Sequence, residues 1–364
     1  MQITCNRTAL LTACQIVQGA VAARSTKPIL SSILAVAEGD TLTLTATDLD
    51  VGVRYVMYAQ ASKPGRCILP VAKLVSILRE STDNDVSIKA DADITKVMIG
   101  RSKYELPGGD PDEFPAFPDT PEGEPLAIPA GVLRTMIKRT VFAAEKRENT
   151  RFAVTGIMVE VLDNAVKFVA TDTKRLAIAD YQIDTPYQAT ALVPLKAIQL
   201  LEKNLTDDGE QIRIHLGKND AQFTTERATI YTRLVEGKFP PYQQFIPKKL
   251  PIKFPVNRAA FAAGIRQAAI TSDEQSKRVD FEFGAGRVKM EAKGPESGAS
   301  VIEMDLPDYD GKEFQIAFDP QYILNMLSVV DDEQVQLEIT EGKDRMIMKV
   351  GESYIYLVVP MVGG

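Results

Sequence analysis

Apolar and polar residues alternate along Leu42-Thr43-Leu44-Thr45-Ala46, and the alternation runs into Thr47-Asp48. A period of two sends successive side chains to opposite faces, so the segment reads as a half-buried β-strand. The same design recurs 124 residues later in Val166-Lys167-Phe168-Val169-Ala170 followed by Thr171-Asp172, and more faintly in Val288, Met290 and Ala292. Each alternation follows a turn signal: Glu38-Gly39-Asp40, Asp163-Asn164 or Gly284-Ala285-Gly286. Before each turn stand apolar residues two apart, Leu34/Val36, Val159/Val161 and Phe281/Phe283, and the pattern predicts three β-hairpins.

Helical periodicity repeats in the same way. A proline opens a short amphipathic stretch three times: Pro70 before Val71, Leu74, Val75 and Leu78; Pro194 before Ile198 and Leu201; Pro320 before Ile323, Leu324 and Leu327. Proline suits a first helical turn because its missing N–H would have no partner there, and Asp319 is placed to cap the third of these helices. An earlier helix precedes each hairpin, with apolar stripes Leu10/Ala13/Val17/Val21, Leu133/Met136/Ile137/Val141 and Phe261/Ile265/Ala268. Each copy therefore reads helix, strands, helix, strands.

Pro- and Gly-rich stretches, Pro107 to Pro129 and Phe239-Pro240-Pro241 to Pro255, separate the copies and suit neither helix nor central strand. Phe114-Pro115 and Phe239-Pro240 stand at equivalent points. The period is too long for a solenoid repeat of roughly 20–50 residues. The chain is therefore a triplicated α+β protein, with domains at 1–120, 121–245 and 246–364. Its 364 residues exceed one ordinary core, and 45% apolar with 25% charged residues excludes a disordered or fibrous chain.

Cys5, Cys14 and Cys67 form no CxxC pair and are odd in number, which suits free thiols in a reducing cytoplasm. The first residues lack the basic and apolar regions of a signal peptide, and no apolar run approaches the ~20 residues that span a bilayer, so no membrane partner is expected.

Little in the chain is suited to catalysis. The single histidine, His215, lies in the alternating run Ile212-Arg213-Ile214-His215-Leu216 and is expected as an exposed strand residue. His-based triads and zinc sites have almost nothing to be built from. Gly284-Ala285-Gly286 lacks the third glycine of a dinucleotide fingerprint, no P-loop is present, and Asp308-Tyr309-Asp310-Gly311 lacks the closing glutamate of a calcium loop. No cofactor, metal or catalytic residue is expected. Asp48 and Asp50 form a carboxylate pair, but Asp172 is followed by Thr173-Lys174, and a strand-end turn accounts for Thr-Asp equally well.

Basic residues collect on the polar side of the predicted helices although the net charge is −7. Arg134 and Lys138 are four apart with Arg139 beside them, a spacing that weakens an isolated helix by roughly 0.2–0.5 kcal/mol and that a polyanion would offset. Lys73 and Arg79, Lys196 and Lys203, and Arg258 and Arg266 occupy the other helices, with Arg24, Lys27, Lys146, Arg147, Arg151, Lys277 and Arg278 in the loops after the first helices. No aromatic residues alternate with these charges, so the expected ligand is duplex DNA held by its backbone without sequence readout. Such contacts alone give only ~10⁻⁴–10⁻⁶ M affinity, and staying on DNA with them would require encircling it.

The whole chain resembles the bacterial sliding clamps, the β subunits of DNA polymerase III. The resemblance is carried by Arg24-Ser25-Thr26-Lys27-Pro28-Ile29-Leu30, Leu44-Thr45-Ala46-Thr47-Asp48-Leu49, Val169-Ala170-Thr171-Asp172 with Arg175-Leu176, Gly237-Lys238-Phe239-Pro240-Pro241-Tyr242 and Val358-Val359-Pro360-Met361. It implies the DNA clamp fold, with two helices on antiparallel sheet in each domain, and a head-to-tail homodimer forming a closed six-domain ring. It places Tyr104 and Leu106 of one copy near Ile270 and Thr271 of the other, and it implies that Arg24, Lys146, Arg147 and Arg151, similar in place to clamp residues that touch DNA, are DNA contacts. It also implies a pocket for a short peptide carried by the replicative polymerase, the clamp loader and other clamp-binding proteins. That pocket would use Val154, Thr171, Arg175, Leu176, Pro240, Tyr322, Val359, Pro360 and Met361. Thr173-Lys174 replaces a usual Gly-His there, Gln244 an arginine, Ser276 an aromatic residue and Val362-Gly363-Gly364 a final Arg-Leu.

Two readings follow. One is a non-catalytic processivity clamp; the other is an enzyme binding a ligand between domains through acidic strand-end residues such as Asp48, Asp172 and Asp310.

Overall fold

A computed structural model describes all residues except 23–26, 92, 148–152, 341–343 and 362–364. The described residues contain six α-helices: α1 (Arg7–Gln18), α2 (Val71–Glu80), α3 (Ala130–Thr140), α4 (Leu195–Asn204), α5 (Arg258–Ala269) and α6 (Pro320–Leu327). Local chemistry sets their starts. Asn6 and Asn257 accept from the backbone N–H groups of Ala9 and Ala260 at 3.1 and 3.0 Å, capping α1 and α5, and Asp319 accepts from Gln321 to cap α6. Pro70 and Pro194 take the N-cap positions of α2 and α4, and Pro320 opens α6. The expected apolar positions are buried except three: Val21 lies beyond the end of α1, Val141 falls in a 3₁₀ turn after α3, and Leu324 is half-buried while Met326 fills the core side of α6.

The chain divides into two compact units: Met1–Arg134 with Val193–Leu234, and Thr135–Leu192 with Val235–Gly364. Three sequence copies yield two units because backbone ladders join strands across the copy boundaries. In the first unit, Ala228–Arg233 of the second copy pairs antiparallel with Val51–Tyr58 of the first, Ile230 facing Val53. The result is one eight-stranded sheet, which continues through Thr41–Thr47, Ile33–Glu38 and Gly65–Leu69. In the second unit, Arg175–Gln182 pairs with Tyr354–Val358, Ala177 facing Tyr356. Each unit also holds a smaller sheet. In the first it ends at Ser102–Pro107, and in the second at Gly298–Leu306. α1 packs on α2 and on the strands Thr41–Thr47 and Val51–Tyr58, while α5 packs on α6 and on Gly286–Gly294 and Gly298–Leu306.

All three expected hairpins form, each with a two-residue loop: Gly39-Asp40, Asp163-Asn164 and Ala285-Gly286. Asp163 and Asn164 both adopt positive φ, 52° and 57°, as a type I′ turn requires. The expected faces hold for Val159/Val161 and Phe281/Phe283, all within 1% of full burial. In the first copy the fully buried residues are Ile33, Ala35 and Ala37, whereas Leu34 and Val36 are half-buried. Ala35 and Ala37 face Leu44 and Leu42 as Val159 and Val161 face Phe168 and Val166, so the true equivalence is one residue away from Leu34/Val36. A slip of one residue exchanges the faces of a strand.

His215 is also displaced from its expected setting. It is 8% exposed, with Nε2 3.4 Å from the carbonyl of Gly123, because the linker lies over that face of the strand. Gln222 donates to the carbonyl of Asp119 in the same way. The three cysteines are buried and free, and burial pushes the Cys5 and Cys67 thiols up to about 12.

Candidate functional site

The Thr-Asp steps are strand-end turns. Thr171 Oγ1 donates to the carbonyl of Arg175 and accepts from the N–H of Thr173, while Asp172 Oδ1 accepts from the N–H groups of Lys174 and Arg175. Thr47, Leu49, Asp48, Asp50 and Val51 repeat this arrangement, and Leu49 and Thr173 adopt φ of 84° and 76°. The carboxylates are further engaged by cations: Asp48 by Lys196, Asp172 by Arg175 Nε at 2.9 Å. Acidic residues so occupied are turn formers rather than acid–base catalysts.

Beside the second turn opens a pocket of about 340 Å³ in the second unit. Thr171, Arg175, Leu176, Pro240 and Val359, all expected there, line it together with Thr173, Lys174, Tyr242, Phe245, Asp344, Arg345 and Leu357. Strand pairing builds its wall by placing Leu176 opposite Leu357, and the N–H of Val359 donates to the carbonyl of Lys174 at 2.9 Å. Tyr242 donates to Glu160 from a buried position, and that burial, then the hydrogen bond, raises its pKa.

The other expected pocket residues stand behind or beside this lining. Val154 is fully buried in the apolar cluster that also contains Leu176, Tyr242 and Leu357. Tyr322 lies under the guanidinium of Arg175, 4.7 Å from carbon to ring centroid. Pro360 and Met361 are half-buried, with the Met361 N–H donating to the Ala317 carbonyl. Among the residues not anticipated, Tyr242 and Leu357 carry a signal in the Pro-Pro-Tyr step and the strand alternation. Phe245 ends the 3₁₀ turn Tyr242–Phe245, and Asp344 and Arg345 lie in an irregular segment whose placement only tertiary packing sets.

Arg175 is the centre of the site. Its side chain is 11% exposed, donates to Asp172 and to the Phe142 carbonyl at 2.6 Å, and lies over the Phe142 ring as well as that of Tyr322. With the amide of Asn325 oriented to satisfy its surroundings, Arg175 also donates to the Asn325 oxygen at 2.7 Å. Burial works against the charge, but Tyr356 and Asp172 outweigh it and hold the guanidinium pKa above its usual value.

The equivalent place in the first unit is filled. Gly52 stands where Leu176 stands, and a Cβ there would lie 3.1 Å from the ring of Phe117. Arg54 lies 4.4 Å over the same ring. Asp50 and Arg233 replace Lys174 and Val359, with the same backbone bond from Arg233 N–H to the Asp50 carbonyl.

The expected DNA-contacting residues divide. Lys73 and Arg79 on α2, Lys138 on α3, Lys203 on α4, Arg266 on α5, and Lys27, Lys146 and Arg147 in loops are exposed. Arg24 and Arg151 lie outside the described residues. Lys196 is tied to Asp48, and Arg134 is tied to Asp208 and to the carbonyl of Leu205. Arg134 is thus a helix cap. Arg7 donates to Leu78 at the end of α2, and Arg258 to Leu327 at the end of α6, so each copy closes its second helix with an arginine from its first. The second copy has Ala130 at the helix start where Arg7 and Arg258 stand, and Arg134, one turn on, takes the role. Arg134→Ala is expected to lower stability by about 1–2 kcal/mol in urea unfolding, through loss of a charge-assisted bond to orphan carbonyls. Lys138→Ala should change stability by less than about 0.5 kcal/mol.

The expected interface residues lie at the ends of the two smaller sheets. Tyr104 is half-buried and Leu106 buried on Ser102–Pro107, whereas Ile270 is 77% exposed just after α5. Thr271 Oγ1 is 2.7 Å from Ser300 Oγ, beside the edge strand Gly298–Leu306.

Three family profiles match the chain in order: DNA polymerase III beta subunit, N-terminal domain, over 1–118; central domain over 127–241; and C-terminal domain over 243–362. The chain belongs to the DNA polymerase III beta subunit family. It is 32% identical to the beta sliding clamp of Pseudomonas putida KT2440, over 99% of this chain and all of that one. It is 28% identical to the beta sliding clamp of Chlamydia pneumoniae, over 95% and 94% of the two chains. A crystal structure of the Bacillus subtilis DNA polymerase sliding clamp superposes with a TM-score of 0.94 at 26% identity over the full length of both. That of the Pseudomonas aeruginosa subunit gives 0.92 at 30%, over 99% of this chain and all of that one. This is a family of polymerase accessory subunits without a catalytic site of their own, so the reading of an enzyme with acidic strand ends is set aside.

Proposed function

We propose that the protein is a processivity clamp: two copies close head to tail around duplex DNA, and the pocket tethers the replicative polymerase, the clamp loader and other partners by a short peptide. The three sequence repeats, 1–120, 121–245 and 246–364, then count six in the dimer. The observation that carries the reading is an incomplete series of strand pairings. Ala228–Arg233 and Tyr354–Val358 are each mated to the neighbouring copy, and so are Val51–Tyr58 and Arg175–Gln182. Their remaining equivalents, Ser102–Pro107 and Gly298–Leu306, lie at sheet edges.

An unpaired strand edge is a template for another chain, and two complementary edges at opposite ends of a repeat series give a heterologous contact that closes when its rotation closes. The mated junctions supply the register. Thr232 faces Val51 and Val358 faces Arg175, and Leu106 holds their position on Ser102–Pro107, so Leu106 would face Gly298, Glu105 Ala299 and Tyr104 Ser300 of the second copy. Val301 and Ile270, 56% and 77% exposed, would be covered by this contact.

The exposed cations Lys27, Lys73, Arg79, Lys138, Lys146, Arg147, Lys203 and Arg266 suit phosphates contacted without base readout. Peptide docking draws support from the apolar lining. The test is topological. Protein loaded on nicked circular DNA by the cognate loader and ATP should remain bound in high salt, where backbone contacts fail, and leave once the circle is cut. Equal loss from intact and cut circles would exclude encirclement.

A further inference from the structure

We propose that the pocket selects peptides with an acidic residue beside their apolar anchors, and that Lys174 is the residue that reads it. The inference rests on the peptide-docking function proposed above and adds the chemistry of the partner.

Lys174 lines the pocket and is exposed. Its backbone is fixed on both sides, the N–H by Asp172 at 3.0 Å and the carbonyl by Val359 at 2.9 Å. Its ammonium has no hydrogen-bond or ion-pair partner among the described residues. The nearest candidate to neutralise it in sequence, Asp172, already accepts from Arg175 Nε. A cation held at a rigid turn but left without a partner is available to a ligand.

The rest of the rim has the same sign. Besides Lys174 and the Asp172-paired Arg175, the lining has a third cation, Arg345, engaged through one nitrogen with the carbonyl of Phe245. Its single carboxylate, Asp344, accepts from Thr340 Oγ1 at 2.6 Å, which keeps its pKa low and its charge in place. Lys248 and Lys249, both exposed, follow Phe245 on the same segment. Inside this rim the apolar surface of Leu176, Leu357, Phe245 and Val359 takes the anchors. A wholly apolar peptide would leave the rim unbalanced, whereas a carboxylate next to the anchors meets a cation across a partly desolvated boundary.

The turn itself does not require lysine. The first copy builds the same turn with Asp50 at this position, where it pairs with Arg233 at 3.8 Å. The charge is reversed only at the copy that opens a pocket, which places the reason for Lys174 in the pocket rather than in the turn.

Fluorescence anisotropy of two labelled peptides tests this, both with leucine and phenylalanine anchors, one flanked by two aspartates and the other by two asparagines. At low salt the aspartate peptide is expected to bind at least about threefold more tightly, the size of an exposed ion pair. The preference should shrink in high salt, fall to near one in Lys174→Gln and invert in Lys174→Glu. Equal binding of the two peptides, or a preference that survives Lys174→Glu, overturns the role of Lys174 while leaving docking intact. Absence of binding by either peptide overturns the docking function itself, and the inference with it.

Discussion

Replacing Arg175 by alanine is expected to lower the unfolding free energy by about 2–4 kcal/mol and to remove peptide binding, because the change strips a buried cation from partners that remain. Asp172 would lose the guanidinium that balances it, and the Phe142 carbonyl and the Asn325 oxygen would lose donors. The rings of Tyr322 and Phe142 would lose the flat group stacked between them. These losses fall on one wall of the pocket, so stability and docking should fail together. Urea unfolding followed by circular dichroism measures the first and peptide anisotropy the second. Arg175→Lys should rescue neither, since an ammonium cannot satisfy Asp172, a carbonyl and two ring faces in one plane. Wild-type stability in Arg175→Ala would mean that the network is solvated rather than structural.

The triplication was legible because a hairpin, a proline-started helix and an amphipathic first helix each leave a periodic trace. The traces at Val166, Phe168 and Pro194 are strong enough to be matched to Leu42, Leu44 and Pro70. The face of the first strand was not legible, because Ile33-Leu34-Ala35-Val36-Ala37 is apolar on both sides and only its pairing with Leu42 and Leu44 decides which is core. Two compact units rather than three could not be read either. Ala228–Arg233 reads as a strand in isolation, and nothing local says that its partner is Val51–Tyr58, more than a hundred residues earlier.

At the site, the resemblance grouped Thr171, Arg175, Leu176, Pro240 and Val359, and they line one pocket because they lie on or beside paired strands or at the start of the linker. Arg134 shows the opposite limit. Its spacing from Lys138 suggested a charged outer face, but charge alone does not tell a phosphate contact from a helix cap. The deciding partner, the Leu205 carbonyl, belongs to a helix seventy residues away. Comparing the copies would have exposed it, because Arg7 and Arg258 make the same contact. Internal repetition thus serves as a control: a feature that all copies share belongs to the fold, and one that a single copy holds, such as Lys174 or the open pocket, points to function.

The same comparison yields a second large effect, Glu303→Pro, which is expected to convert the proposed dimer into a monomer. In the first junction the N–H of Val56 donates to the carbonyl of Arg227, and in the second the N–H of Asp180 donates to Ser353. Glu303 holds the equivalent position on Gly298–Leu306 and Arg101 that of Arg227 and Ser353, so the Glu303 N–H would donate to the Arg101 carbonyl of the other copy rather than into its own sheet. Proline removes that donor and sets its ring against the incoming strand, a disruption of about 3 kcal/mol or more. Dimer affinity should therefore fall at least about a hundredfold. The exposed Glu303 side chain makes little contribution of its own, and proline is tolerated at a strand edge whose N–H faces outward, so folding of each chain should be nearly unchanged. Sedimentation at micromolar concentration should then give the chain mass of 39.9 kDa in place of twice that value. Salt-resistant retention on circular DNA should be lost with it, because an unclosed protein holds DNA only by its backbone contacts. A variant that still dimerises with wild-type affinity would show that Ser102–Pro107 and Gly298–Leu306 do not continue the ladder, and that closure uses another surface.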